Sequence, residues 1–364
     1  MVIRRGTIAW IALVGAIFSS YLEPAMAQSK NLDMTPATIR FGYITGIAFP
    51  TFIVAEERGY FRKENLTVEK FLLAGSGPVS EGLAAGNLDM GNTTPLSSVL
   101  ATAKGAKTVM VSGYEYTFVD KAGHTWEAVY AVVRSGEGIK TISDMRGKRI
   151  AINDIGSAYT YMMREQLLAA GLNPEKDVNL VFIPFGQMAG ALVQKQVDVI
   201  LGSPDAYLLA QERAKVEVIG THTTLERVDI GLSAAIGVNS DYLRKNPDAV
   251  TRFLRAFLQA RMWMNEQMSK NDKEVLEIVA KSMKYTPQRA AGFWCTRGGY
   301  YGKELPFVNV LDIPRRLIVR QLEILKASSM LKPDTKTDYS AYVDIRPLRR
   351  AYETLGARWD DAKH

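Results

Sequence analysis

The chain has 364 residues, enough to bury two cores, and its 47% hydrophobic and 23% charged content is that of a folded protein rather than a disordered or fibrous one. A single cysteine excludes an intramolecular disulfide, and three histidines are too few for most metal or acid–base constellations. The formal net charge of +7 is spread along the sequence, which excludes the concentrated basic stripe of a nucleic-acid surface and favours anionic ligands or an anionic membrane face.

The first residues read as an export leader. Arg4 and Arg5 supply a positive start, Ile8 to Phe18 an apolar stretch, and Ala25-Met26-Ala27 a small-x-small cleavage site. Cleavage is expected after Ala27, making 1–27 a signal peptide and placing the mature protein in the periplasm. The apolar stretch is shorter than the ~20 residues a bilayer span needs.

From Thr38 onward, apolar runs alternate with helical patterns. Strands are predicted at Thr38–Tyr43, Thr67–Leu73, Leu88–Asn92 and Thr108–Ser112, with helices starting near Thr51, Val79 and Leu96. The alternation then recurs, with strands at Arg149–Asn153, Asn179–Pro184, Val197–Leu201 and Val216–Gly220. Helices are predicted between them at about Ala158–Ala170, Gly186–Lys195 and Asp205–Ala214. Such βαβα order predicts mostly parallel sheets flanked by helices. After a strand-like run at Ser233–Val238 the chain turns helical. Asn246-Pro247 is a start signal, and Val250, Phe253, Leu254, Phe257 and Leu258 share one face. Further helices are predicted at Lys273–Ser282, Gln288–Trp294 and Ile313–Ser328, and the tail after Pro333 is polar and broken by turn residues.

Two blocks align at a constant offset of 109 residues. Leu83 meets Leu192, Leu88 meets Val197, Asp89 meets Asp198, Thr94 meets Ser203 and Pro95 meets Pro204. Gly77 meets Gly186 at the same offset. A period this long is no solenoid repeat, whose units run ~20–50 residues; it predicts two lobes of one plan facing a cleft. The lobes are expected at 36–126 with 234–330, and at 127–233, followed by a tail at 331–364.

Ala55-Glu-Glu-Arg-Gly-Tyr60-Phe61-Arg-Lys-Glu-Asn-Leu66-Thr-Val68-Glu69 resembles the opening signature of periplasmic solute-binding proteins of the nitrate/sulfonate/taurine/bicarbonate group. Ile142-Ser-Asp144-Met-Arg-Gly147-Lys148-Arg-Ile150-Ala-Ile152 resembles the segment that opens their second lobe. The resemblance runs from about Thr38 to Ser328. It implies an α/β, two-lobed periplasmic-binding-protein-like fold of type II with a helical C-terminal extension. It also implies a monomer that captures a small anionic solute and delivers it to an ABC permease in the inner membrane. No enzyme activity, cofactor, metal or nucleic acid is expected. The same architecture hosts a pyrimidine-synthase-like enzymatic branch with a cysteine-rich iron site, which one cysteine cannot supply. A ligand-sensing role remains the other alternative.

In open α/β sheets, ligands sit beyond the carboxyl ends of strands, where unpaired helix N-terminal N–H groups receive anions. Three turns fit: Gly75-Ser76-Gly77-Pro78, Asn92-Thr93-Thr94-Pro95 and Asp154-Ile155-Gly156-Ser157-Ala158. Each could equally be an ordinary strand–helix turn with a capping hydroxyl. Aromatic residues crowd the same ends, namely Tyr43, Phe49, Tyr114, Tyr116, Phe118 and Tyr159, and suit a solute with an organic body. Core packing is their alternative. The candidate ligand-binding set is therefore Tyr43, Phe49, Ser76, Gly77, Thr93, Thr94, Tyr114, Gly156, Ser157, Tyr159, Ser203 and Asp205, and no catalytic set is expected. Asp205 would repel an anion unless a ligand amine paired with it. Lys121, His124, His222 and Arg297 are basic residues the sequence does not place, and Cys295, beside Trp294, reads as buried and inert.

Overall fold

The computed structural model describes residues 31–44, 50–119, 125–126, 130–154, 158–202, 204–221, 230–270, 273–286, 311–327, 330–336 and 338–357. The chain divides into Met1–Leu32 and Asp33–His364, and all the secondary structure described belongs to the second unit. Among the described residues, no helix is long and apolar enough to cross a membrane.

Two mixed sheets organise this unit. The first has the order β2-β1-β3-β11-β4-β5, built from β1 (Ala37–Tyr43), β2 (Leu66–Leu72), β3 (Met90–Thr93), β4 (Thr108–Val119), β5 (Thr125–Trp126) and β11 (Ile230–Asn239). The second has the order β10-β6-β9-β7-β8, built from β6 (Tyr130–Arg134), β7 (Arg149–Ile152), β8 (Asn179–Phe182), β9 (Val199–Gly202) and β10 (Val216–Thr221). β1 runs parallel to β2 and β3, and β7 runs parallel to β8 and β9. One inner strand of each sheet is reversed: β11 is antiparallel to β3 and β4, and β6 to β9 and β10. Thus β11, which follows the second sheet in the chain, returns to complete the first.

Helices cover the sheets. They are α1 (Pro50–Glu57), α2 (Tyr60–Lys63), α3 (Ser76–Ala84), α4 (Pro95–Ala103), α5 (Ala158–Ala169), α6 (Phe185–Val193) and α7 (Pro204–Gln211), then α8 (Ser240–Lys245), α9 (Pro247–Lys270), α10 (Lys273–Met283), α11 (Arg315–Ala327) and α12 (Arg346–Thr354). The predicted strands and helices correspond to these elements. The exceptions are β5, β6, the short helices α2 and α8, and α12, which the sequence does not predict, and the predicted helix Gln288–Trp294, which lies outside the described residues. The predicted start signal holds its place: α9 starts at Pro247, and the C=O of Asn246 before it accepts from Val250 N–H at 3.2 Å. Asn246 also ends α8, its side-chain amide donating to Tyr242 O at 3.2 Å.

The 109-residue offset is a structural repeat. α3 and α6, β3 and β9, and the starts of α4 and α7 stand at that spacing. So does the register: Phe41 faces Met90 and Gly42 faces Gly91, while Ile150 faces Val199 and Ala151 faces Ile200. One polar motif recurs at the same spacing. The backbone N–H, Nε and Nη2 of Arg40 donate to Asp89 at 2.8, 3.0 and 2.6 Å, and Nη2 also donates to Gly86 O. Arg149 does the same toward Asp198 at 2.9, 3.1 and 2.8 Å, and toward Lys195 O. Each pair ties β1 or β7 to the turn before its parallel neighbour, β3 or β9, so that neighbour is pinned at its amino end.

Each sheet has its own core. In the first, Phe253 of α9 stacks on Phe41 at 5.2 Å and on Phe61 at 5.0 Å, and Phe41 stacks on Phe52 at 4.9 Å. Phe253 belongs to the α9 face predicted from the sequence, and Val250, Leu254 and Phe257 of that face are fully buried beside it. The second core gathers Val132, Ile150, Met188, Leu192, Val199 and Ile200. A third, of Leu96, Val99, Met110, Ile318 and Leu322, joins α4 and α11 to the first sheet.

The tail is more ordered than its polar sequence suggests. Tyr342 O accepts from Met110 N–H and Asp344 N–H donates to Met110 O, so this segment runs beside β4. α12 then buries Leu348, Ala351 and Tyr352 in the first core, and Arg350 pairs with Asp248 at the start of α9.

Candidate functional site

The carboxyl ends of β2 and β3 lead into α3 and α4, whose N-termini converge on a patch of hydroxyls. Ser76, Ser80, Thr93, Thr94, Ser97 and Ser98 are all buried. Ser76 Oγ and Ser97 Oγ are 2.8 Å apart, Thr94 Oγ1 donates to Ser97 Oγ at 3.0 Å, and Ser80 Oγ lies 3.1 Å from Thr93 Oγ1. Thr94 is the N-cap of α4, its Oγ1 accepting from Ser97 N–H at 3.3 Å, and Pro95 follows in the first turn. Asn92 Oδ1 accepts from Ile44 N–H at 2.9 Å, which fixes the chain leaving β1. A buried hydroxyl costs free energy unless bonded, so the patch locks the two helix starts into one geometry.

α3 is capped differently. Its N-cap is Gly75, which has no side chain to offer. The Gly77 N–H instead donates to Asp154 Oδ2 at 2.7 Å, from a residue just beyond β7 in the second sheet. Thr160 of α5 donates its Oγ1 to Asp154 O at 2.6 Å and holds that turn. Ile44, just past β1, packs against the second core. The strand ends of the two sheets therefore meet at Gly75–Gly77 and Asn153–Asp154. At the repeat-equivalent position in α6, a Cβ built at Gly186 would meet none of the described residues within 4 Å.

The sequence-derived candidates divide accordingly. Ser76, Gly77, Thr93 and Thr94 lie together at the α3 and α4 starts, while half-buried Tyr43 ends β1, accepts from Leu73 N–H at 2.9 Å and packs against the first core. Ser76, Thr93 and Thr94 spend hydroxyl bonds on one another's patch, which leaves the Gly77 backbone as the group facing the second sheet. Tyr114 is elsewhere. β4 is 12 residues long, so Tyr114 sits within the strand rather than at its end, and its ring packs on Phe257 at 4.7 Å in the first core. Burial drives its hydroxyl pKa well above the ordinary value. Phe49, Gly156, Ser157 and Ser203, the side chains of Tyr159 and Asp205, and Lys121, His124, His222, Cys295 and Arg297 lie outside the described residues. Among the described residues, no three His, Cys, Asp or Glu side chains gather as a metal site. The sequence reading quoted Asp154 in a candidate turn but did not place it in the site; its signal was a carboxylate opening a turn opposite Gly75-Ser76-Gly77.

Two α/β sheets, the second inserted between β5 and β11 of the first and meeting it near strand carboxyl ends, define the two-lobed periplasmic-binding-protein class. Solved structures agree. The alkanesulfonate-binding protein SsuA from Xanthomonas axonopodis pv. citri bound to MOPS superposes with a TM-score of 0.67 at 18% identity, covering 84% of this chain and 98% of that one. The periplasmic nitrate-binding protein NrtA from Synechocystis PCC 6803 gives 0.71 at 16% identity, covering 88% and 89%. Among sequence relatives, the nitrate/nitrite binding protein NrtA of Nostoc sp. is 23% identical over 69% of this chain, which spans 58% of that protein's length. A putative aliphatic sulfonates-binding protein of Bacillus subtilis is 24% identical over 77% of this chain and 82% of its own length. Each of these four is named as a binding protein. The family model described as NMT1/THI5 like matches residues 47–269, more than half of the chain, which belongs to that family.

Proposed function

We propose that this protein is the periplasmic substrate-binding component of an ABC importer. In this reading the lobes 36–126 with 234–330 and 127–233 close on a small organic anion of the sulfonate or carboxylate type and present it to a permease. The observation that carries the reading is the convergence of two helix N-termini at the carboxyl ends of β2 and β3, facing the second sheet. Such an N-terminus offers unpaired N–H groups and partial positive charge to an acid group. Ser76, Gly77, Thr93 and Thr94 form the first-lobe wall, Tyr43 supports the organic body, and Gly156, Ser157, Tyr159, Ser203 and Asp205 complete the second-lobe wall. Binding proteins of this kind work by hinge closure and need no covalent chemistry.

The test is Gly77→Val. A branched side chain there stands in front of the N–H group that is to meet the acid, since a Cβ alone would come within 2.7 Å of Asp154 Oδ2. Calorimetric titration with taurine and alkanesulfonates is expected to show binding to the parent protein and at least about tenfold weaker binding to the variant, or about 1.4 kcal/mol. Unchanged affinity would remove the α3 start from the site.

A further inference from the structure

We propose that Asp154 is a latch between the two sheets, a carboxylate that holds the cleft shut without solute and that a solute has to displace. Its Oδ2 accepts from the Gly77 N–H at 2.7 Å, although the two residues belong to different sheets and lie 77 positions apart in sequence. The approach depends on two missing side chains. A Cβ at residue 75 would lie 2.9 Å from Asp154 Cβ and 3.1 Å from Asn153 Nδ2; one at residue 77 would lie 2.7 Å from Asp154 Oδ2. The backbone does not demand glycine at Gly75, whose φ of −174° is extended and open to any residue. Close approach of the second sheet is what its bare Cα serves.

Among the described residues the contact is not repeated in the second lobe, where a Cβ at the matching Gly186 would meet none of them within 4 Å. Asp154 is also braced from behind, by the Thr160 hydroxyl on its carbonyl and by the packing of Ile44 on the second core. A half-buried carboxylate on a first-turn N–H is a charge-assisted bond, stronger than a neutral one. Competition with solute rests on the anion reading above, in which a ligand's acid takes the same N–H. Closure without solute does not depend on that reading.

Small-angle X-ray scattering of the solute-free protein tests the latch. Asp154→Ala is expected to have a larger radius of gyration than the parent, with Asp154→Asn between them. Equal radii for parent and Asp154→Ala overturn the latch. Should circular dichroism show the alanine variant unfolded, Asp154→Asn decides by the same comparison. Titration with methanesulfonate separates the two ideas. A latch that competes makes the alanine variant bind several-fold more tightly than the parent, because a larger fraction is open; equal or weaker binding overturns the competition. Failure of both proteins to bind methanesulfonate overturns its use as a solute and leaves the latch to the scattering result.

Discussion

Phe253→Ala is expected to destabilise the protein by about 3–5 kcal/mol, read as a lower urea midpoint with an unchanged slope. The side chain is fully buried and stacks on Phe41 and Phe61, which come from the first strand and from the short helix after α1. Removing the ring leaves a cavity that three other phenylalanines line but cannot fill, because Phe41 and Phe52 are already stacked on each other. A loss of that size is a large part of the ~5–15 kcal/mol that holds a domain folded. α9 reaches the first sheet only after the chain has built the second, so this ring also joins the two ends of the sequence. A cost below about 1 kcal/mol would mean that α9 is not packed as described.

Asp89→Ala and Asp198→Ala form the second prediction, and its force lies in the match between them. Each carboxylate accepts a backbone N–H and two guanidinium bonds from Arg40 or Arg149, and Asp198 also accepts from Arg134 Nη2 at 3.4 Å. Each deletion strands a strand-edge N–H and half of a charged pair. About 40% of each guanidinium side chain meets solvent, which holds the cost below the ~3–5 kcal/mol of a fully buried pair. About 2 kcal/mol is expected for each variant, slightly more for Asp89, whose side chain is 7% exposed against 19% for Asp198. A null effect at one site beside a large effect at the other would break the structural equivalence of the lobes.

The pH dependence follows from the same pair. Hydrogen bonding to Arg149 lowers the Asp198 carboxyl from 3.8 to about 2. The unfolded chain therefore takes up this proton more readily than the folded one as pH falls. The stabilisation is fully present above the ordinary carboxyl value and is lost as pH drops toward 2. Parent and Asp198→Ala melting curves should converge across that window.

Much of the fold was legible because the repeat carries its own markers. Leu83, Asp89 and Pro95 recur at one offset, and Arg40 with Arg149 extends that list to the partner of each aspartate. β6 was missed because Ala131, Val132 and Val133 are buried in succession, on both faces, so the run shows no alternation. α12 was missed because Arg346, Arg349 and Arg350 interrupt the eye, although Leu348, Ala351 and Tyr352 keep helical spacing. The first-lobe wall was readable from Gly-Ser-Gly-Pro and Asn-Thr-Thr-Pro, since glycines and capping hydroxyls belong at helix starts. Tyr114 misled because sequence cannot show how far β4 continues. Asp154 was readable as a turn residue but not as a partner of Gly77, which only the approach of the two sheets brings about.

The central claim is that the cleft takes a small organic anion, and a thermal-shift panel tests it most directly. The panel sets taurine, alkanesulfonates and aromatic carboxylates beside nitrate, bicarbonate and pyrimidines. A solute at 100 times its dissociation constant adds about 2.7 kcal/mol to the folded state, a visible rise in melting temperature. The account predicts stabilisation by sulfonates or carboxylates with an organic body, and little from the inorganic anions. Stabilisation by pyrimidines alone, with every sulfonate and carboxylate silent, would contradict it.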